Sequence, residues 1–431
     1  MKRFFPVCLA FLTMAGCAVQ KQKPGVDDSE VSRILNVLAS DEMEGRATFT
    51  KGIEKAADFI SSEFQKIGLQ PYQEDSYRQT FSLTRMTPGA LEVTLDGKEI
   101  PAEKVFISST SKGLNWNSNP QVKIHVIAEG EEFAARFRSI NNTREDAIVV
   151  IDPSFSSLFD NYKRILSRER TLQANQVGGH SVVFVLGSTK PTAFRVSFTN
   201  IINEAPLSNV IGVLPGKTRP EEIVVFSAHY DHIGILEAVG QDSIANGADD
   251  DASGVTAVIS LAKYYKALNN NERTLLFVCF TGEEMGMLGS KYFSTNMDAE
   301  KVIAMVNIEM IGKDSKFGEN ALYVTGFEAS NLAKLMQENV KGTEFAFHPD
   351  PYPTQNLFYR SDNASLAAVG VPAHTFSTVQ IEKDQYYHTV KDEVSTLNVK
   401  NIVASIKAIA VGAQGLVSGK DTPTRVAKLM P

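Results

Sequence analysis

Apolar residues recur along this chain in two rhythms, and the switches between them divide it. Between residues 29 and 70 the rhythm is helical. Val31, Ile34, Leu35 and Leu38 fall three and four apart, and Ala56, Ala57, Phe59, Ile60 and Phe64 repeat the spacing. Gly68, placed after Lys66 and Ile67, reads as a helix stop. From about 80 to 200 the texture becomes short alternating segments, such as 91–95 and 122–126, which predict strands. Past about Ser208 continuous apolar runs take over at 222–228, 274–280 and 301–308, with shorter ones at 322–325 and 372–376. They alternate with helical stretches at 252–268, 332–340 and 399–416. Strands apolar on both faces are strands covered on both faces. The expected fold is therefore α/β: a mixed, largely parallel sheet flanked by helices, with an inserted β-rich domain. The expected boundaries are an N-terminal helical part at 29–80, the insertion at 81–200 and the main catalytic domain at 201–420.

Composition leaves this picture standing. A chain of 431 residues is too long for one small core, and 43% hydrophobic with 22% charged residues is ordinary for a globular protein. The formal net charge is −7 and no basic stripe interrupts it, which argues against a nucleic-acid partner. Oligomeric state is not legible. The first residues stand apart. Lys2 and Arg3 precede a short apolar core at 4–14, which is too brief for a permanent membrane span. Met14-Ala15-Gly16-Cys17 resembles the lipobox of bacterial lipoproteins, so 1–17 is expected to be a lipoprotein signal ending at a lipidated Cys17. A plain secretory signal is the alternative. Residues 18–28 are polar and read as a tether. The implied location is the bacterial cell envelope, with the chain lipid-anchored and facing the periplasm or the cell surface. Cys279, inside the run 275–280, reads as a buried structural thiol.

The chemistry sits at the carboxyl ends of the apolar runs, where open α/β sheets place their ligands. His229-Tyr230-Asp231 follows one run. In an extended segment the imidazole and carboxylate share a face, which suits a ligand histidine oriented by a carboxylate. Taken alone, two residues carry little information and a surface pair is the better reading. Asp249-Asp250-Asp251 lies between Gly247 and Ser253-Gly254 and opens a helix. Three adjacent carboxylates suit a bound cation, and they suit an acidic N-cap as well. Glu283-Glu284 follows the strongest buried-strand signal, and such a pair can divide into a metal ligand and a general base. Further along come Glu309, after Asn307-Ile308, and His388, between Tyr387 and Thr389. Of the remaining histidines, His232 and His374 are the credible spares.

Taken in order, these pieces resemble the M28 family of zinc aminopeptidases. That family's pattern is His-x-Asp, Gly-x-x-Asp-x-x-Ser-Gly, Glu-Glu-x-Gly, Asn-x-Asp-Met and a late Tyr-His-Thr, and the match extends over about 205–416. The segment 38–46 also looks like the opening of these enzymes, and 81–200 lies where some relatives carry a protease-associated domain. The resemblance implies a zinc-exopeptidase fold, peptide substrates and two zinc ions. His229 and Glu309 would hold one ion, Glu284 and His388 the other, and Asp250 would bridge them. It also implies Glu283 as general base, Asp231 orienting His229, and Tyr387 or Tyr359 as a donor to the oxyanion. The chain departs at Glu309, where the family usually has aspartate. The extra methylene extends the reach by roughly 1.3 Å. That leaves bidentate binding, a retreat of the backbone or a weakened second site. The expected activity is removal of N-terminal amino acids from peptides. The alternatives are a glutaminyl cyclase on a similar scaffold, which Glu283-Glu284 disfavours, and a non-catalytic envelope lipoprotein.

Overall fold

The computed structural model describes residues 25–173 and 176–429. The expected leader at 1–17 and the tether as far as residue 24 lie outside the described residues. The last tether residues do not stay loose: the Asp27 carboxylate accepts the Ser29 N–H and caps the helix Asp28–Leu38. That helix buries Val31, Ile34, Leu35 and Leu38. The helix Lys51–Ile67 buries Ile53, Ala56, Ala57, Ile60 and Phe64, and it ends on Gly68 at φ 79°, a left-handed cap that suits glycine. Fully burying each such aliphatic or aromatic side chain contributes about 1.5–3 kcal/mol.

A twelve-stranded sheet runs through the molecule. Its centre is parallel: Arg219–His229 pairs with Arg273–Phe280 on one side and Val302–Ile308 on the other, and Ala373–Ser377 follows. Its margins are antiparallel, through Phe194–Leu214 against both Arg273–Phe280 and Arg78–Leu95, and through Ala321–Val324 against Ala373–Ser377. Helices Asp28–Leu38, Lys51–Ile67, Gly254–Leu268 and Val399–Gly412 cover one face through one large apolar cluster. Phe293, Leu366, Ala367 and Val426 cover the other. The core thus reaches Val426, past the expected end at 420. From Arg219–His229 the chain goes first to the strand on one side and later to the strand on the other. This reversal opens a crevice at the carboxyl ends of the central strands.

The segment at 81–200 differs from its expectation. Two of its strands are long arms of the main sheet, Arg78–Leu95 and Phe194–Leu214. Between them a four-stranded sheet forms, with Ala147–Ile151 parallel to both Lys123–Ile127 and Ser181–Leu186. Helices Phe133–Asn142 and Ser156–Leu166 pack on it through Phe133, Phe137, Ile140 and Phe159. The insertion is therefore a small α/β unit on a β arm rather than β-rich throughout.

His374, one of the two spare histidines, belongs to the core. It is fully buried in Ala373–Ser377, donates from Nδ1 to the Thr325 carbonyl at 2.8 Å and accepts the Ser330 hydroxyl at Nε2 at 2.7 Å. Burial pulls its pKa down to about 4, against the Thr325 bond. Because the folded value lies below the unfolded one of about 6.5, the unfolded chain takes the proton first, and stability falls as pH drops through this window. We expect urea unfolding of the wild type to lose about 3 kcal/mol more between pH 7 and pH 4 than that of His374→Gln, from a 2.5-unit gap at 1.36 kcal/mol per unit less partial protonation of the fold. Equal pH slopes for the two proteins would rule this out.

Candidate metal centre

Five separate stretches of chain meet in the crevice. His229 is the last residue of its strand, Glu283 and Glu284 lie just past Arg273–Phe280, and Glu309 follows Val302–Ile308. Asp250 sits in the turn Ala248–Ser253 that leads into the helix Gly254–Leu268. His388 arrives on a late loop.

Asp250 stands between two groups of donors. Its Oδ1 is 3.1 Å from His229 Nε2, which is 3.8 Å from Glu309 Oε1. Its Oδ2 is 3.3 Å from His388 Nε2, which is 3.1 Å from Glu284 Oε2. The other Glu284 oxygen, Oε1, is 3.0 Å from His232 Nδ1. The structure therefore brings together every residue expected as a ligand. It adds His232, which the motif order gave no reason to choose.

The donor chemistry fits a cation. His229 Nδ1 lies 3.0 Å from the backbone carbonyl of Asp231, which can only accept, so Nδ1 carries the proton. Burial opposes it, but the Asp250 and Glu309 carboxylates raise the His229 imidazole well above its ordinary range. With a cation at Nε2 in place of that proton, the neutral ring would turn its lone pair to the ion between it and the carboxylate. His229 Nε2, His388 Nε2 and Asp250 Oδ2 are all buried without a hydrogen bond of good geometry. Burial would raise Asp250, yet His229, His232 and His388 hold it well below the usual carboxylate range. Burial likewise opposes the His232 and His388 bonds that keep Glu284 at about 2. Glu283 goes the other way: burial drives its carboxyl up to about 10, with His229 opposing and Glu309 and Asp362 adding to the rise. A divalent ion nearby reverses that kind of shift.

The role expected of Asp231 changes. Its carboxylate is 3.8 Å from His229 Nδ1, beyond hydrogen-bond reach, and it is the carbonyl that orients the ring. The carboxylate instead accepts the N–H of Glu283 at 3.1 Å and of Glu284 at 3.3 Å, so it shapes the turn carrying the glutamate pair. The aspartate run resolves into both of its candidate roles. Asp251 Oδ1 accepts the Gly254 and Met310 N–H groups at 3.0 and 3.1 Å, capping the helix and tying down the Glu309 turn. Asp249 Oδ1 accepts the Gly312 N–H at 2.7 Å. Only Asp250 faces the two donor groups.

Glu309 is held from both ends. Its N–H donates to the Phe376 carbonyl at 3.1 Å, and the Ser361 hydroxyl donates to Oε2. One oxygen, Oε1, is left for the His229 side, so the longer side chain would offer a cation there a single oxygen. Tyr387 stacks on His388 with ring centroids 3.8 Å apart and borders a cavity of about 180 Å³. Glu309, Met310, Tyr323, Leu357, Val379 and Ile381 are among its other walls. Tyr359 does not border this cavity. It packs against Phe358 and the apolar cluster below.

Two supporting residues escaped the sequence reading. The Asp392 carboxylate accepts the N–H groups of Asp249 and Asp250 at 3.0–3.1 Å. Arg46, fully buried, donates to the carbonyls of Leu38, Tyr230, Asn246 and Gly247 at 2.6–2.9 Å. It clamps the loops after both His229 and the Asp242–Ala245 strand onto the N-terminal segment. The only trace of it in the sequence was the segment 38–46, whose likeness to the family's opening pointed to no role for the arginine.

Residues 209–412 match the family model for peptidase family M28. A probable zinc metalloprotease of Pyricularia oryzae is 32% identical over 152 residues, covering 35% of this chain and 29% of that protein. A probable leucine aminopeptidase of Trichophyton verrucosum is 28% identical over 224 residues, covering 49% and 58%. The chain thus spans less than two thirds of these relatives' length. Among solved structures, a zinc aminopeptidase from Bacillus subtilis aligns at a TM-score of 0.53 with 16% identity, covering 95% of this chain and all of that one. A glutaminyl cyclase of Porphyromonas gingivalis aligns at 0.50 with 12% identity, covering 91% of this chain and all of that one. Both likenesses concern the fold alone.

Replacing Arg46 by methionine leaves several buried carbonyls without a donor, at a cost of about 3–5 kcal/mol. Chemical denaturation of Arg46→Met should show that loss. A variant as stable as wild type would mean that the clamp is dispensable.

Proposed function

From the peptidase family M28 domain formed by residues 209–412, we propose that the protein is a zinc-dependent aminopeptidase that hydrolyses N-terminal residues from peptides. The observation that carries this reading is the split of Asp250 between two donor groups, with Glu283 next to the donor Glu284 on the turn past Arg273–Phe280. Two zinc ions suit that split, one on the His229–Glu309 side and one on the Glu284–His388 side. Bound there, zinc supplies Lewis-acid polarisation of the scissile carbonyl and of the attacking water. The chain's own residues do the rest. Glu283, carried on the turn that Asp231 holds, takes a proton from the attacking water and delivers it to the departing amine. Tyr387, beside His388 at the cavity mouth, is placed to donate to the developing oxyanion. The cavity walls of Met310, Tyr323, Leu357, Val379 and Ile381 suit an apolar side chain at the substrate's N-terminal position.

The glutaminyl cyclase reading has one supporting observation, the shared fold. The Glu283–Glu284 pair and its Asp231 cradle favour hydrolysis. Lipid attachment at Cys17 and an envelope location belong to this proposal too, on the strength of Met14-Ala15-Gly16-Cys17 after a basic, apolar start.

Three measurements test these assignments. Glu283→Gln should keep its zinc while kcat on aminoacyl substrates falls about 10²–10⁴-fold; substantial residual activity would remove Glu283 as base. Chelation should abolish hydrolysis of leucyl substrates and zinc should restore it, whereas cyclisation of an N-terminal glutamine peptide without hydrolysis would decide for the cyclase. Cys17→Ser should move the protein from the membrane to the soluble fraction of the envelope, and an unchanged distribution would exclude the lipid anchor.

A further inference from the structure

His232 is buried three residues past His229, the first of the expected ligands. Its Nδ1 is 3.0 Å from Glu284 Oε1 and 3.7 Å from Asp250 Oδ2. His388 Nε2 approaches the same two carboxylates from another side, at 3.1 and 3.3 Å, and the two rings meet edge to face with centroids 5.7 Å apart. Zinc holds nitrogen and oxygen donors at about 2.0–2.2 Å, so a tetrahedron of such arms has edges of roughly 3.4 Å, the arm length times 1.63. Each separation, 3.0 to 3.7 Å, is near that edge, with His232 facing Glu284 Oε1 and His388 facing Oε2, so the Glu284 carboxylate lies between the two rings. Of these four residues, His232, Asp250 and Glu284 alone bring one donor atom each to a common point.

The chain is shaped to deliver this ring. The His232 N–H donates to the Arg46 carbonyl at 3.2 Å, and the segment pairs with Ala47. Gly247, at φ 54°, lies so close that a β-carbon there would stand 2.6 Å from the imidazole. A glycine is needed at 247 partly because the histidine fills the space beside it.

Resting on the metallopeptidase reading above, we propose that His232 Nδ1 is a further metal ligand, which makes the two sites unequal. One site has four protein donors: His232, His388, Glu284 and Asp250 Oδ2. The other has three: His229, Glu309 Oε1 and Asp250 Oδ1. Four protein donors close a zinc site and favour tight retention, while three leave a position open for water or substrate. The closed site fills first and holds its ion; the Glu309 site exchanges.

The test uses the full chain, stripped of metal and titrated with zinc by calorimetry. Wild type should bind in two steps of unequal affinity. His232→Asn keeps an amide donor near Nδ1 but removes the ring nitrogen, and it should weaken the tighter step by at least about tenfold to a hundredfold while sparing the weaker one. On wild type, the ¹⁵N resonance of His232 Nδ1 should shift with the first equivalent of zinc, a readout that does not depend on the variant folding. An Nδ1 resonance unmoved by zinc, or an unchanged first step in the variant, overturns the ligand. A wild type that binds no zinc at all removes the metallopeptidase reading itself, so the two failures are separable.

Discussion

The crowding of carboxylates at one end of the central strands is the constraint on which this structure turns. Asp231, Asp249, Asp250, Asp251, Asp362 and Asp392 are fully buried, and Glu283 and Glu284 are largely so. Two like charges 4 Å apart repel by about 4 kcal/mol even at an effective dielectric of 20. The molecule meets this by sorting six of these carboxylates into two kinds, leaving Glu283 and Asp362 outside both. Those facing backbone N–H groups shape loops: Asp231 under the glutamate turn, Asp249 and Asp251 against the Glu309–Gly312 turn, and Asp392 under the aspartate run. Those facing imidazoles, Asp250 and Glu284, stay ionised and point inward. The site is thus an ionised interior of Asp250 and Glu284 inside a frame of carboxyls tied to main-chain N–H groups, which burial pushes up toward the neutral form.

That frame requires the loops to stay in place. Three of the five stretches extend from paired strands of one sheet, and the cross-ties beyond the strand ends are Arg46 on one side and Asp392 on the other. Lys313 adds a partial counter-charge, 2.8 Å from Asp384 and 3.7 Å from Asp249. These are the long-range contacts that turn a set of strand ends into a site. A cation that binds only the assembled loops adds its binding free energy to their stability.

Much of this was legible in the sequence, for physical reasons. Parallel strands covered on both faces must be apolar throughout, so 222–228, 274–280 and 301–308 stood out, and the ligands stood where such strands end. The misreadings have equally specific causes. The long strand Phe194–Leu214 is interrupted by a register shift between Phe198 and Asn200 and by the exposed residues 201–204, so its apolar alternation breaks off and the arm looks like short pieces. The insertion's helices are short and amphipathic, and their Phe133, Phe137 and Ile140 spacing is diluted by charge. The Asp231 role failed because the extended i, i+2 rule was applied past the strand, which ends at His229. Beyond that point the main chain turns and offers a carbonyl where the side chain was expected. His232, Asp392 and Arg46 are defined by contacts across the fold, and no spacing in the chain announces such contacts.

The substitution at Glu309 takes on a different meaning in this frame. A longer acid stands at this strand end, and its N–H is tied to the Phe376 carbonyl at 3.1 Å. Ser361 takes one oxygen and is itself held by Asn307, which accepts the Ser227 hydroxyl and donates to Ser361 at 2.8 Å. The extra methylene therefore spans from the strand end to Ser361 and leaves a single oxygen for the His229 side. The side of the centre with fewer donors is also the side that borders the cavity, through Glu309 itself. Openness toward ligand and economy of protein donors coincide there: Glu309 gives that side its border on the cavity, and His232 adds its donor to the other side.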